Sequence, residues 1–298
     1  MGCFVLFWDE IYCQINALLL HCQINFYSTN DIYYNPVDSS SVRLYLINDV
    51  KYYAKVFLNR DPKLVHEELT FMRYLKKNDI MVPGVLLIDK NEFNEISYNG
   101  NKVVFFFARE VSGDDVVDRE TLFDIVRNIA KMHSVSRKYK IENKERLAKC
   151  NIERLHLLVK DSKKLVDKMC SRKKLELIIN EVDVKNKYSM IHGDLHKKNI
   201  ITRKGKFYGL IDFSDCRLGH FEDDIGKIVQ SFLTVKACNI GDVKKVIREY
   251  NSVNNYILNT KEVLLSCVYH ILYFVNVNYD YISDIEQYSH TIELCMQE

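Results

Sequence analysis

No charge of one sign dominates this sequence: 42 Lys and Arg stand against 40 Asp and Glu in 298 residues, a net of +2. Such a balance gives no general reason to expect nucleic acid as a partner. The charge is unevenly spread, with 16 Lys/Arg against 8 Asp/Glu from Arg137 to Lys187 and 8 against 13 from Gly205 to Glu298. The basic stretch reads as a pair of solvated helices or, alternatively, as a surface for a phosphate-bearing or anionic-lipid partner. Long hydrophobic runs are also missing. The longest, Val263 to Val277, contains Ser266, His270 and Asn276 and is too short to span a bilayer, so it predicts a buried helix and no membrane span. Asp9 and Glu10 interrupt the opening apolar residues with no basic region before them, which predicts no signal peptide. Leu6 stands where the myristoylation pattern wants Ser or Thr, so Met1-Gly2-Cys3 predicts no anchor. The nine cysteines are odd in number and contain no C-x-x-C pair, as expected of reduced thiols in a cytoplasmic protein. There is no His/Cys cluster of zinc type and no Gly-x-Ser-x-Gly elbow, which disfavours a metal hydrolase or a serine hydrolase.

What the chain does have is a polar loop set between apolar runs: Met190-Ile191-His192-Gly193-Asp194-Leu195-His196-Lys197-Lys198-Asn199-Ile200-Ile201, then Leu210-Ile211-Asp212-Phe213. Two short strands would bring Asp194, Asn199 and Asp212 close together, an arrangement able to hold a metal beside a general base. Asp194 and Asn199 are five apart, the spacing of the catalytic Asp and the metal-binding Asn in protein kinases. Ile-Asp-Phe occupies the position of their later metal-binding Asp. Residue by residue the alternative is plain: Asp and Asn also cap turns and end strands.

The loop resembles the Brenner-type motif of the aminoglycoside phosphotransferase and choline kinase superfamily, in the form His-Gly-Asp-Leu-His-x-x-Asn followed by Ile-Asp-Phe-x-Asp. The resemblance implies that Asp194 is the catalytic base, that Asn199 and Asp212 bind Mg2+, and that His192 is structural. It also implies a kinase fold in the α+β class, bilobal and protein-kinase-like, with a small β-rich N-lobe and a larger, mostly helical C-lobe. The expected division is residues 1–109 for the ATP-binding lobe, 110–114 for a hinge, and 115–298 for the lobe with the catalytic loop and acceptor pocket.

Upstream, Trp8, Ile11, Ile15, Leu18, Leu19 and Leu20 predict a leading helix. Val42 to Ile47 and Tyr52 to Leu58, separated by Asn48-Asp49, predict a hairpin. Lys55 lies in its second strand, either facing a cleft or guarding a sheet edge. In a kinase-like arrangement such a lysine holds the α- and β-phosphates of ATP and is itself held by a Glu on the following helix. Lys63 to Lys77 reads as that helix, offering Glu67 and Glu68. Glu68 is selected because Glu68 to Leu75, then Val82-Pro83-x-Val85-Leu86, resembles the family pattern. The family's glycine-containing phosphate turn is replaced by Pro36-Val37-Asp38-Ser39-Ser40-Ser41, where Ser40 and Ser41 would offer N–H groups and hydroxyls to phosphate. Lys102 to Ala108 predicts a strand, and Arg109 to Gly113 a hinge whose Glu110 and Val111 main-chain groups would meet the adenine edge.

Thr121 to Ser136 has helical periodicity, and its end, Ile-Ala-Lys-Met-His-Ser, resembles a family helix end in which His133 is structural. Lys138 to Lys187 contains no Gly and no Pro and reads as inserted helices. The Asp224-Ile225 pair resembles one whose Asp steadies the catalytic loop; Asp215 either touches metal or solvates a turn. Three or four helices are expected after Asp223. Tyr250, Tyr256, Tyr269, Tyr273, Tyr279, Asp280, Tyr281, Asp284 and Glu286 would suit a cationic acceptor, or are ordinary surface and core. The implied function is ATP- and Mg2+-dependent transfer of phosphate to a hydroxyl of a small molecule, of aminoglycoside-phosphotransferase type. Choline, ethanolamine, homoserine, thiosugars and sugars are alternative acceptors, and a nucleotide-binding pseudokinase is the non-enzymatic alternative. No Ala-Pro-Glu-like segment follows Asp212, which disfavours a protein substrate. Nothing in the motif specifies an oligomeric state.

Overall fold

The structure, a computed structural model, describes residues 2–35, 39–114, 118–142, 189–233 and 239–278, with residues 288, 291–293 and 295 near the C-terminus. The expected inserted helices of 138–187 therefore fall almost wholly outside the described residues, as do Tyr279, Asp280, Tyr281, Asp284 and Glu286. The chain divides into two compact units, Met1–Arg73 with Val82–Ser112, and Tyr74–Met81 with Gly113–Glu298.

The first unit is a helix laid on a five-stranded antiparallel sheet. Helix α1 (Gly2–His21) precedes β1 (Phe26–Asn35), β2 (Ser40–Ile47) and β3 (Val50–Leu58), and β4 (Asn94–Tyr98) and β5 (Asn101–Arg109) complete a sheet of order β1-β2-β3-β5-β4. The β2–β3 turn falls at Asn48 and Asp49, with φ of 48° and 61°, the double left-handed turn that matches the twist of a hairpin. Helix α1 buries Trp8, Ile11, Tyr12, Ile15 and Leu19, one helical stripe, against Tyr45, Ile47, Ala54, Val56, Val103, Phe105 and Phe107. Side chains that bury fully contribute about 1.5–3 kcal/mol each, so this face anchors the sheet. Polar groups fix the helix in register: Arg43 donates to Asp9 at 2.8 Å, Tyr45 to Asn16 at 2.7 Å, and the Arg43 guanidinium lies 4.1 Å over the Tyr12 ring.

The sequence pattern did not predict β1 or β4, and both are the edges of the sheet. An edge strand has one partner and a half-wet face, so backbone pairing can hold it without an alternating apolar pattern. In β1 the polar run Ser28 to Asp31 coincides with a register shift between Ser28 and Ile32.

Helix α2 (Pro62–Lys77) begins in the first unit, and its last residues belong to the second. Within the second unit Tyr74 donates to the Val135 carbonyl at 3.3 Å, and the Met81 carbonyl accepts from Leu210 N–H at 3.0 Å. Helix α3 (Arg119–Ser136) is capped by Asp118, which accepts from Thr121 N–H at 2.7 Å, and buries Leu122, Ile125, Val126, Ile129 and Met132. Two small hairpin-like pairs follow: β6 (Ser189–Ile191) with β9 (Arg217–Gly219), and β7 (Ile200–Arg203) with β8 (Lys206–Leu210). Helices α4 (Phe221–Leu233), α5 (Ile240–Asn251) and α6 (Thr260–Asn278) complete the described part. Helices α4 and α6 approach closely at Gly226, where an added Cβ would lie 2.6 Å from the Ser266 Cβ and 2.7 Å from the Cys267 N. Helix α6 is buried on most sides, as its apolar run predicted, and no described helix is long and apolar enough to cross a membrane.

Candidate functional site

In the second unit the polar loop runs from the end of β6 to the start of β7. Gly193 turns it at a φ of +85°, and a Cβ there would meet the Asp215 carbonyl at 2.1 Å and Arg217 Nη1 at 2.2 Å. Both the backbone angle and the space therefore require glycine. Buried groups hold the loop from two sides. The Asp224 carboxylate accepts the N–H groups of His192 at 2.9 Å and Gly193 at 2.8 Å, together with His133 Nε2–H at 3.0 Å. Behind it Asn254 donates to the Tyr250 hydroxyl at 3.0 Å, which meets His133 Nδ1 at 2.9 Å. From the other side Arg217 donates to the Gly193 carbonyl at 2.7 Å, and its second nitrogen pairs with Asp223. Burial works against charge on Asp223 and Asp224. The Arg217 guanidinium and His270 at Asp223, and His133 and the loop N–H groups at Asp224, outweigh it and hold both carboxyls below the ordinary range.

His192 lies within the same framework. Its Nε2–H donates to the Ile211 carbonyl at 2.9 Å, and its ring is 4.5 Å from that of Phe213. Burial keeps the imidazole's pKa below its ordinary value. Since Ile211 N–H also donates to the Asn199 carbonyl at 3.0 Å, the residues on either side of Asp212 are tied to the loop.

Asp194 projects from this scaffold with a quarter of its side chain exposed (26%). Its Oδ1 is 3.2 Å from Lys227 Nζ, and its Oδ2 is 3.2 Å from both His196 Nε2 and Asn199 Nδ2. His196 Nδ1 accepts from Lys198 N–H at 3.1 Å, which leaves its Nε2–H to donate to Asp194. Burial again opposes the charge, but the His196 hydrogen bond and the Lys227 ammonium prevail, and the Asp194 carboxyl stays well below the usual carboxylate range.

Asn199 spends its amide N–H groups on Asp194, on the carboxylate at 3.2 Å and on the backbone carbonyl at 3.0 Å, so Oδ1 is the atom it could offer a cation. Asp212 adopts a left-handed φ of 61°, a strained setting for a non-glycine residue that often marks a functional position, and accepts from the Ser214 hydroxyl. Among the described residues no group of three or more His, Cys, Asp or Glu side chains could hold a metal by itself. The Asp212 carboxylate and the Asn199 amide oxygen are both hard donors, too few to enclose an ion by themselves. Such a set suits a magnesium-type ion whose remaining ligands are water and phosphate oxygens, so the residues fit the expected metal.

The first unit places the remaining expected residues. Lys55 stands on β3, between β2 and β5, and so is not an edge lysine. It lies on the sheet face opposite α1, with its Nζ 3.8 Å from Glu68 Oε1 and 5.7 Å from the Phe106 ring centre. Glu68 is fully buried on α2 and also meets Arg60 Nη2 at 3.1 Å. Ser40 pairs with Phe57 in the β2–β3 ladder and shares the face of Lys55. Ser41 departs from expectation. Alternation turns it to the α1 face, where it is 1% exposed and its hydroxyl lies 3.1 Å from the Tyr12 hydroxyl. Its side chain therefore serves the helix–sheet packing, and Pro36 to Asp38 lie outside the described residues. At the expected hinge the Glu110 N–H donates to the Lys51 carbonyl at 2.9 Å, so the main-chain group Glu110 could offer a purine edge is its carbonyl oxygen. Val111 follows directly.

The sequence reading missed that Arg60 pairs with Glu68 and that Lys227 and His196 hold the Asp194 carboxylate. The signal for Lys227 was weak: a lysine on a helix whose neighbours Ile225, Ile228 and Val229 are all buried. Of the tyrosines expected near a cationic acceptor, Tyr250 is buried behind His133, and the Tyr256 hydroxyl is held by Glu222 at 3.1 Å. Both serve packing.

The family model described as the phosphotransferase enzyme family matches residues 35–239, more than half of the chain. The chain belongs to this phosphotransferase family. Solved structures give the same fold for the phosphotransferase. One is amicoumacin kinase hAmiN in complex with AMP-PNP, Ca2+ and Ami, at a TM-score of 0.68 and 14% identity, covering 97% of this chain and 92% of that one. A second is a microcompartment-associated aminopropanol kinase, at a TM-score of 0.61 and 14% identity, covering 95% and 94%. A third is the ADP-bound aminoglycoside phosphotransferase APH(2'')-Ib, at a TM-score of 0.52 and 18% identity, covering 97% and 96%. At such identities the likeness establishes the kinase-like α+β fold of the phosphotransferase. No curated protein sequence matches the chain.

Proposed function

We propose that the chain transfers the γ-phosphate of ATP, with Mg2+, to a hydroxyl group of a small molecule, in the manner of an aminoglycoside phosphotransferase. The observation that carries this reading is the Asp194 carboxylate, kept ionised by Lys227 and His196 and in contact with Asn199. Residues 1–109 are read as the nucleotide lobe, 110–114 as the hinge and 115–298 as the lobe of the catalytic loop. Lys55, steadied by Glu68, is assigned to the nucleotide phosphates, and Ser40, the Glu110 carbonyl and Val111 to the rest of the nucleotide. Asn199 and Asp212 are assigned to the metal, which when bound would neutralise charge on the transferring phosphoryl group.

The chemistry asked of the protein is small. The acceptor oxygen attacks the γ-phosphorus, the bond from that phosphorus to the β,γ-bridging oxygen breaks, and ADP leaves. Asp194 hydrogen-bonds the acceptor hydroxyl and takes its proton. A carboxylate with so low a proton affinity is a poor base for an alcohol, so it orients the hydroxyl first and accepts the proton only once the new O–P bond has made it acidic. Lys227 fixes one oxygen of that carboxylate. Lys227→Met is accordingly expected to lower kcat roughly tenfold with unchanged nucleotide affinity, checked by steady-state kinetics beside calorimetric ADP binding.

The similar structures are of amicoumacin, aminopropanol and aminoglycoside kinases, three different acceptors, so the acceptor class is tested directly. ATP consumption is measured with Mg2+ across aminoglycosides, amino alcohols, choline, homoserine, methylthioribose and simple sugars, for the wild type and Asp194→Ala. The expected result is one acceptor class that stimulates turnover in the wild type alone. If no compound stimulates turnover and ATP does not raise Tm, the chain is not acting as a kinase.

A further inference from the structure

We propose that Lys227 determines the acceptor class: it occupies the place on Asp194 that an ammonium beside the reacting hydroxyl would need, so the site takes a hydroxyl flanked by another hydroxyl, as in a polyol, and rejects one flanked by an ammonium, as in a 2-amino alcohol. The inference rests on the phosphotransferase reading above and concerns the second unit alone. A carboxylate offers about four lone-pair positions, two on each oxygen. On Asp194 those of Oδ2 are taken by His196 Nε2 and Asn199 Nδ2, each at 3.2 Å, and one of Oδ1 is taken by the Lys227 ammonium, also at 3.2 Å. Among the described residues no other donor meets this carboxylate. The position left for the acceptor hydroxyl is therefore on Oδ1, beside a cation.

That cation is built in. Helix α4 lays one face along the catalytic loop: Asp224 receives the His192 and Gly193 N–H groups, Lys227 meets Asp194, and the Ser231 hydroxyl accepts from Lys197 N–H at 2.9 Å. Residues 224, 227 and 231 stand three and four apart, which puts them in one stripe on the helix. The helix that anchors the loop thus also sets the ammonium against Asp194, with 11% of the Lys227 side chain exposed. A 2-amino alcohol would bring its hydroxyl and its ammonium together to a single carboxylate. Here the carboxylate already has its counter-ion, and two ammonium groups on one oxygen repel. A polyol meets no such conflict. An ammonium has three N–H donors, so the neighbouring hydroxyl oxygen can accept one that Asp194 does not use. The selection concerns only the carbon next to the reacting hydroxyl, and an ammonium farther along the acceptor is unaffected.

The test compares glycerol with 2-amino-1,3-propanediol, and 1,2-propanediol with 1-amino-2-propanol, pairs in which every hydroxyl of the amino member adjoins the ammonium. ATP consumption with Mg2+ gives kcat/KM for the full chain and for Lys227→Met and Lys227→Gln. The wild type is expected to favour the polyol of each pair roughly tenfold to a hundredfold. Lys227→Met should lower turnover of the polyols about tenfold and hold or raise that of the amino alcohols, so that the preference is lost or reversed. Lys227→Gln carries the comparison should Lys227→Met fail to fold by circular dichroism, and the wild-type preference decides should both fail. A lysine that only steadies Asp194 would lower both members of a pair by the same factor, and that result overturns the proposal. So does a wild type that consumes the amino alcohols as well as the polyols, or consumes none of the four. In those cases turnover with any other acceptor leaves the phosphotransferase reading intact, whereas its absence with every acceptor sinks both.

Discussion

Asp194→Asn is expected to lower phosphoryl transfer by about 10²- to 10⁴-fold, the usual contribution of a positioned general base, with nucleotide affinity and Tm nearly unchanged. The replacement keeps the shape of the side chain and one oxygen. It removes the charge that Lys227 and His196 are arranged to hold, and it turns an amide N–H₂ towards one of those donors. The acceptor hydroxyl then loses both its orienting acceptor and the destination of its proton. Because Asn199 takes its place partly through the Asp194 backbone carbonyl, at 3.0 Å, this proposed metal ligand should stay in position. Single-turnover kinetics with the identified acceptor, beside ADP calorimetry, make the check. Retention of more than about a tenth of the wild-type rate would remove Asp194 from the chemistry.

Asp224 carries the second large effect, through the fold of the loop. Its carboxylate is fully buried and receives two loop N–H groups and His133. Asp224→Ala strands all three donors away from water, at about 3–5 kcal/mol for the set. In a chain of this size that loss should lower Tm by roughly 10 °C and abolish turnover, because Gly193 and Asp194 lose their anchor. Asp224→Asn should do less, since its carbonyl oxygen still accepts. The acid dependence has a definite sign. The Asp224 carboxyl is held below its ordinary value, so its charge stabilises the fold fully above the unfolded pKa of about 4, and this stabilisation is lost as the pH falls below that towards the folded pKa. Denaturant unfolding at pH 7 and at about pH 2.5, below the unfolded pKa, should therefore show a smaller difference for Asp224→Asn than for the wild type. An equal difference in both proteins would mean that the acid sensitivity arises elsewhere.

The elements built on a strong local pattern were legible beforehand: α1 from its helical stripe, the β2–β3 hairpin from Asn48-Asp49, α3 from its periodicity, and α6 from its apolar run. Edge strands β1 and β4 were not: β1 is interrupted by a polar run, and β4 is short, although the Asn99-Gly100 turn that joins it to β5 was a hairpin signal the sequence reading passed over. Ser41 shows the limit of a strand pattern. Alternation separates Ser40 from Ser41, but only the packing of α1 decides which of the two faces is the buried one.

By itself, the sequence determined the polar loop, the spacing of Asp194, Asn199 and Asp212, the lysine on a strand before a Glu-bearing helix, and hence membership of a kinase-like phosphotransferase family. These are short-range features, set by backbone geometry over a few residues. Only the tertiary structure decided that Lys227 and His196 grip the Asp194 carboxylate, that Arg60 shares Glu68 with Lys55, and that the Asn254, Tyr250, His133 and Asp224 chain braces the loop. His133 and Tyr250 are 117 positions apart in the chain, and His133 and Asp224 are 91 apart. Contacts of that kind leave no periodicity in the sequence, because they exist only where folding buries polar groups that must then find one another.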